Sequence, residues 1–134
     1  MRVSNAADRR LTKLDSIRLR KFIAAGNAAP QLEDVLDDAQ VVPGPAIPPD
    51  VVTMYAKFVV RDLATGQRQV RVICYPKDAD ASRGSISVLS PAGMALLGLA
   101  AGATGRWQGP AGAECAAQVE EVLFQPEAAG DYVT

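Results

Sequence analysis

The chain contains no histidine. Ser-His-Asp and Cys-His nucleophilic systems are therefore excluded, and so is the commonest zinc ligand. Its two cysteines, Cys74 and Cys115, lie far apart within strand-like runs and read as reduced thiols in or near the core. Aromatic residues make up only 5%, too few to furnish an aromatic-walled pocket easily, so Phe58 and Trp107 read as core. No apolar run approaches the roughly 20 residues that span a bilayer. The first apolar residues are scattered among Arg2, Asp8, Arg9, Arg10 and Lys13, unlike a signal peptide. A cytoplasmic location with no membrane partner is the resulting expectation. There is no P-loop and no glycine-rich phosphate cradle. No catalytic residue, cofactor or metal site is expected, and the chain reads as a non-enzyme.

What is present is an ordinary globular composition, 49% hydrophobic and 22% charged over 134 residues, enough for one domain with a small appendage. The net charge of −1 hides an asymmetry. Residues 1–24 hold seven Lys/Arg against two acids, residues 25–50 hold five acids and no base, and the rest is nearly balanced. That distribution does not suggest a DNA-coating protein, and no stable sequence-specific nucleic-acid binding is expected. It suggests two segments of opposite sign that lie against each other.

Asp8 to Ala25 is predicted to be a helix, with Leu11, Leu14, Ile17, Leu19, Phe22 and Ile23 on a broad apolar side. Arg9, Arg10, Arg18, Arg20 and Lys21 form its basic remainder, either a solvated face or a contact to an acidic partner such as nucleic acid. Gly26-Asn27 is a plausible stop, and Pro30 opens a second helix on which Leu32, Val35, Leu36 and Ala39 share a face. Glu33, Asp34, Asp37 and Asp38 fill its polar side and read as solvated, pairing loosely with the first helix rather than holding a metal. Residues 1–42 thus form a short antiparallel helical hairpin. Residues 43–50, with four prolines in seven positions, form a semi-rigid linker. From Asp50 the period changes to two: a long strand from Val52 to Arg61, a turn at Asp62–Gly66, a returning strand to Cys74, and a short strand at Ile86 and Val88. Ser90 is expected to cap a short helix with Pro91 in its first turn, ended by Gly98. Strands at Thr104–Gln108 and Ala117–Phe124 complete an α+β domain, 51–134, built on a small antiparallel sheet.

The run from Ser85 to Gly98, with Ser90-Pro91 and the Ala95-Leu96-Leu97-Gly98 ending, resembles the signature of the C-terminal domain of the Gre transcript-cleavage factors. Pro49 to Met54 and Gln125 to Tyr132 resemble the flanks of the Gre-like relatives called regulator of nucleoside diphosphate kinase. The resemblance covers Pro48 to the C-terminus; the first 42 residues match mainly in length and layout. It implies an FKBP-like C-terminal domain that grips the rim of the secondary channel of RNA polymerase, with the hairpin entering the channel. In Gre factors acidic side chains at the hairpin tip help hold a catalytic magnesium. Here the tip, including Gly26, Asn27, Ala28 and Pro30, carries no carboxylate between Ala24 and Pro30. A helix from Asp8 to Ala25 is also only about 25 Å long, much shorter than a Gre hairpin. Both departures are shared by the short-hairpin relatives.

The expected function is that of a polymerase-binding transcription regulator that competes with Gre-type factors and does not stimulate cleavage. Its expected contact is the turn Leu89, Ser90, Pro91, Ala92 and Gly93, although Leu89 stands where Gre factors tend to carry an acid. Two alternatives stay open: a prolyl isomerase using the FKBP-like fold, and an adaptor that regulates nucleoside diphosphate kinase.

Overall fold

The structure, a computed structural model, describes residues 9–130. Asp8, where the first helix was expected to begin, and Asp131 and Tyr132 of the C-terminal motif lie outside that range.

The first element among the described residues is a short strand, β1 (Arg10–Thr12), and helix α1 (Lys13–Ala24) follows directly. The helix therefore begins five residues later than the apolar pattern suggests. The cause is local: Thr12 is extended, and its hydroxyl accepts from the Asp15 N–H at 3.0 Å, which makes it the N-cap. A five-residue connector leads to α2 (Pro30–Asp38), with Pro30 in the first turn as expected. Leu32 and Leu36 are buried, and Val35 and Ala39 pack against the same core. Arg20 and Asp37 form an exposed ion pair at 3.1 Å between the two helices. The chain leaves α2 through β2 (Gln40–Val42), which pairs with β1 in parallel. The 43–50 stretch is tied down: Gly44–Ala46 forms a 3-10 turn, and Gln125 Nε2 donates to the carbonyls of Pro48 (2.8 Å) and Val51 (2.9 Å).

The main sheet has the order β5-β4-β3-β7-β6, from β3 (Lys57–Asp62), β4 (Arg68–Cys74), β5 (Ser85–Ser87), β6 (Thr104–Gln108) and β7 (Glu114–Phe124). It is mixed rather than antiparallel, because β5 returns beside β4 in parallel after the irregular 76–84 stretch. The long strand expected from Val52 is hydrogen-bonded only from Lys57. Residues Val52, Thr53, Met54 and Ala56 are all buried, so the alternation there does not mark a one-sided strand. Tyr55 adopts φ of 66°, a left-handed conformation that bends the chain out of the sheet. Two register shifts between β3 and β7 place extra residues in β7 and increase the twist of the sheet.

Helix α3 (Pro91–Leu96) packs beside β6. Phe58, Val60, Ile73, Leu96, Leu97, Leu99 and Val119 form one core with Leu11, Leu19, Leu32 and Leu36 from the two-helix unit. Each fully buried leucine there contributes roughly 1.5–3 kcal/mol. The first helix shares less of this core than its sequence suggests: Leu19 is buried, but Ile17 is 43% exposed.

Candidate functional site

The turn Leu89–Gly93 is held by its own hydrogen bonds. Ser90 Oγ donates to the Ser87 carbonyl at 2.6 Å and accepts from the Gly93 N–H at 3.0 Å, and Ser87 Oγ accepts from the Leu89 N–H at 3.0 Å. Gly93 makes the turn possible, since a Cβ there would come within 2.2 Å of the Ser87 carbonyl oxygen. Pro91 is exposed, Leu89, Ser90 and Ala92 are half-buried, and Gly93 is buried. The Ser90 cap and the Pro91 start were legible in the sequence.

Pro91 and Met94 of α3 lie across a groove of about 930 Å³ from Asp34, Asp37 and Asp38 of α2, with Arg106 and Trp107 of β6 alongside. The fold thus brings the acidic face of α2 next to the Ser-Pro turn. It does not bring in the tip: Gly26, Asn27, Ala28 and Pro30 are exposed, and none of them lines the groove. Asn27 Nδ2 donates to the Phe22 carbonyl at 2.9 Å, closing the end of α1. Among the described residues, no group of three acids or cysteines stands close enough to hold a metal ion.

Arg9 is the residue that sequence reasoning misplaced. It was expected on a basic surface, yet it is 2% exposed. Its Nη1 donates to the carbonyls of Met94 (2.9 Å) and Leu97, bracing the end of α3. Burial pulls its pKa down to about 10, with the Asp38 carboxylate opposing the shift. Gly98, with φ of 82°, lets this strap pass: a Cβ there would lie 2.5 Å from Arg9 Cγ. Its carbonyl accepts from Arg10 N at 2.9 Å, and its N–H donates to Val52 O at 2.7 Å.

A second buried charge was equally invisible. Asp15, 6% exposed, accepts from the Met54 N–H through Oδ2 at 3.1 Å. Desolvation pushes its pKa up to about 6; the Met54 N–H opposes that shift and the Glu127 carboxylate adds to it. Asp15 also faces a second pocket, of about 460 Å³, with Tyr55, Tyr75 and Phe124. The only sequence signal at this position was the Thr12-x-x-Asp15 spacing of a helix start. Nothing local marked the carboxylate for burial.

A twisted α+β domain with a capped Ser-Pro turn leading into α3 defines a class. The family described as Transcription elongation factor, GreA/GreB, C-term matches residues 47–124, more than half of the chain, and the chain belongs to that family. Within it, the chain is 41% identical over 105 residues to the Escherichia coli (strain K12) protein named Regulator of nucleoside diphosphate kinase, covering 78% of this chain and 77% of that protein. Among solved structures, one titled Prokaryotic transcription elongation factor GreA/GreB from Nitrosomonas europaea superposes with a TM-score of 0.71 at 35% identity, covering 87% of this chain and 98% of the other. Transcription elongation factor GreA of Desulfovibrio desulfuricans is 41% identical over 59 residues, which is 44% of this chain and 36% of that protein. The family expected from the Ser85–Gly98 run is therefore the family found.

Proposed function

We propose that this chain is a Gre-like transcription regulator that binds RNA polymerase at the rim of the secondary channel. The exposed Pro91 and its neighbours Leu89, Ser90, Ala92 and Gly93 form the docking turn on an FKBP-like C-terminal domain, 51–134. Residues 1–42 act as a short hairpin at the channel mouth, connected through 43–50. The observation that carries this reading is the hydrogen-bonded Ser90-Pro91 turn, with Pro91 exposed, on a domain of the GreA/GreB family. α1 has only 12 residues, about 18 Å at 1.5 Å per residue, and the tip bears no carboxylate. Such a tip lacks the oxygen ligands a hard cation needs. The protein therefore occupies the site without stimulating transcript cleavage, and it limits access by longer-hairpin factors through competition.

The test is displacement of labelled Gre factor from core polymerase. The wild type should compete, and Pro91→Glu, at an exposed position that leaves the Ser90 cap in place, should compete at least about tenfold less well. No displacement by folded wild type would sink the reading. A second reading, an adaptor on nucleoside diphosphate kinase, is favoured only by the name of the Escherichia coli relative. Direct binding of the purified kinase, without polymerase binding, would put it first.

A further inference from the structure

The pocket beneath α1 is built unlike a surface dimple. Its floor is Asp15 and Met54, both buried, and its mouth carries Lys77, exposed, and Phe124, 49% exposed. Tyr55 and Tyr75 form the wall, with ring centroids 6.1 Å apart, and Phe22 backs Tyr75 at 5.4 Å. Three of the chain's seven aromatic residues, Tyr55, Tyr75 and Phe124, therefore line an open space, although so low an aromatic content was not expected to furnish an aromatic-walled pocket easily. Tyr55 is held there in a left-handed backbone conformation, φ of 66°, which bulky residues adopt only where the surroundings impose it. Its hydroxyl donates to Asp78 Oδ2 at 2.5 Å and so fixes the 76–78 turn that presents Lys77. No residue of this pocket lines the groove beside Pro91.

The chemistry of the lining narrows the occupant. Arg18 and Lys77 line the pocket together with Asp15, so it offers an occupant charges of both signs. The aromatic wall suits a flat ring, which stacks on it favourably. A carboxylate at the floor calls for hydrogen-bond donors on that ring, and a cation at the mouth calls for an anionic tail. A purine nucleotide offers all three. Guanine, with N1–H and N2–H side by side, suits a carboxylate better than adenine, which offers a single amino group.

We propose that this pocket is a purine-nucleotide site with a preference for guanine. The base lies against Tyr55 and Tyr75, Asp15 accepts from the ring N–H donors, and Lys77 faces the phosphate. Burial raises the Asp15 pKa to about 6, so the carboxylate is held at the pocket floor against its own desolvation cost. The site stands independently of the polymerase reading.

The test is calorimetric titration of the full chain with GMP, AMP and UMP at pH 7. GMP should bind, AMP several-fold and UMP still more weakly. Asp15→Asn and Lys77→Glu should each weaken GMP at least about tenfold. Arg106→Ala, in the other groove, should leave affinity unchanged. Asn at position 15 retains an acceptor for the Met54 N–H, and thermal melting confirms that each variant is folded. Heat from none of the three nucleotides at millimolar concentration overturns the proposal, and so does GMP binding that ignores Asp15→Asn.

Discussion

In the sheet domain the buried side chains are nearly all apolar: Phe58, Val60, Ile73, Val88, Leu96, Leu97, Leu99 and Val119. In the two-helix unit Arg9, Thr12, Asp15 and Ser16 are buried beside Leu11, Leu19, Leu32 and Leu36. The remaining buried polar residues, Thr53 and Gln125, sit at the junction: Thr53 bonds Glu127 at 2.8 Å and Gln125 holds the 48–51 stretch. The difference is instructive. Apolar burial is non-directional and tolerates many attitudes of one element on another. A guanidinium on two carbonyls, or a carboxylate on one amide, fixes the attitude but is costly to leave unmade. The sheet domain is held by area, and the helices are held in place by direction.

Removing the strongest of these directional contacts should have the largest effect. Arg9→Ala leaves the Met94 and Leu97 carbonyls without this donor and empties buried volume, so it should destabilise by about 3 kcal/mol. Hydrogen exchange sharpens the comparison: amides at Leu19 and Leu36 should lose protection while those in β3 and β7 keep theirs. Equal loss in both regions would show a single cooperative unit and end the distinction.

Asp15→Asn should act in the opposite direction. The carboxyl has a pKa of about 6 in the folded chain against 3.8 as its ordinary value. Between these the folded state holds the proton more tightly than the unfolded state does. The contribution is therefore complete below the lower value and is lost as pH rises through the higher one. At pH 7 the variant should be more stable by on the order of 2 kcal/mol. The two curves should converge as denaturant unfolding is repeated down to pH 4. A gap that stays constant with pH would remove the explanation.

The smallest effect should come from Arg20→Ala. The Arg20–Asp37 pair is exposed on both sides, 49% and 65%. Its loss should change stability by less than about 0.5 kcal/mol, and 0.5 M salt should erase even that. A loss above about 1 kcal/mol would mean that charge, and not the shared leucine core, holds the helices together.

Much of the fold was legible because its signals are short-range. The 30–39 helix follows from Pro30 and the Leu32, Val35, Leu36, Ala39 spacing, and α3 from Ser90 and Pro91. The strands at Arg68–Cys74 and Thr104–Gln108 lie where alternation placed them. The misses share a cause. Leu11 looked like the first turn of a helix because its apolar spacing fits one, but Arg10–Thr12 finds a partner 30 residues away in Gln40–Val42. Val52 to Ala56 alternates like a strand, yet both sets of alternating positions are buried there, Val52, Met54 and Ala56 as well as Thr53. The Ser90-Pro91 turn was visible as a motif; the aromatic pocket was not, because its residues come from positions 15 to 126.

The sequence by itself determined the class of domain, the capped turn at Ser90-Pro91, the amphipathic second helix and the carboxylate-free tip. These depend on residue type and on neighbours within a few positions. Only the tertiary structure decided that Arg9 and Asp15 leave the solvent and that β5 runs parallel to β4. It alone decided that Tyr55 and Tyr75 enclose a space above a carboxylate. Those outcomes depend on which distant groups meet, and a charged side chain reads the same in sequence whether it meets water or a row of backbone carbonyls.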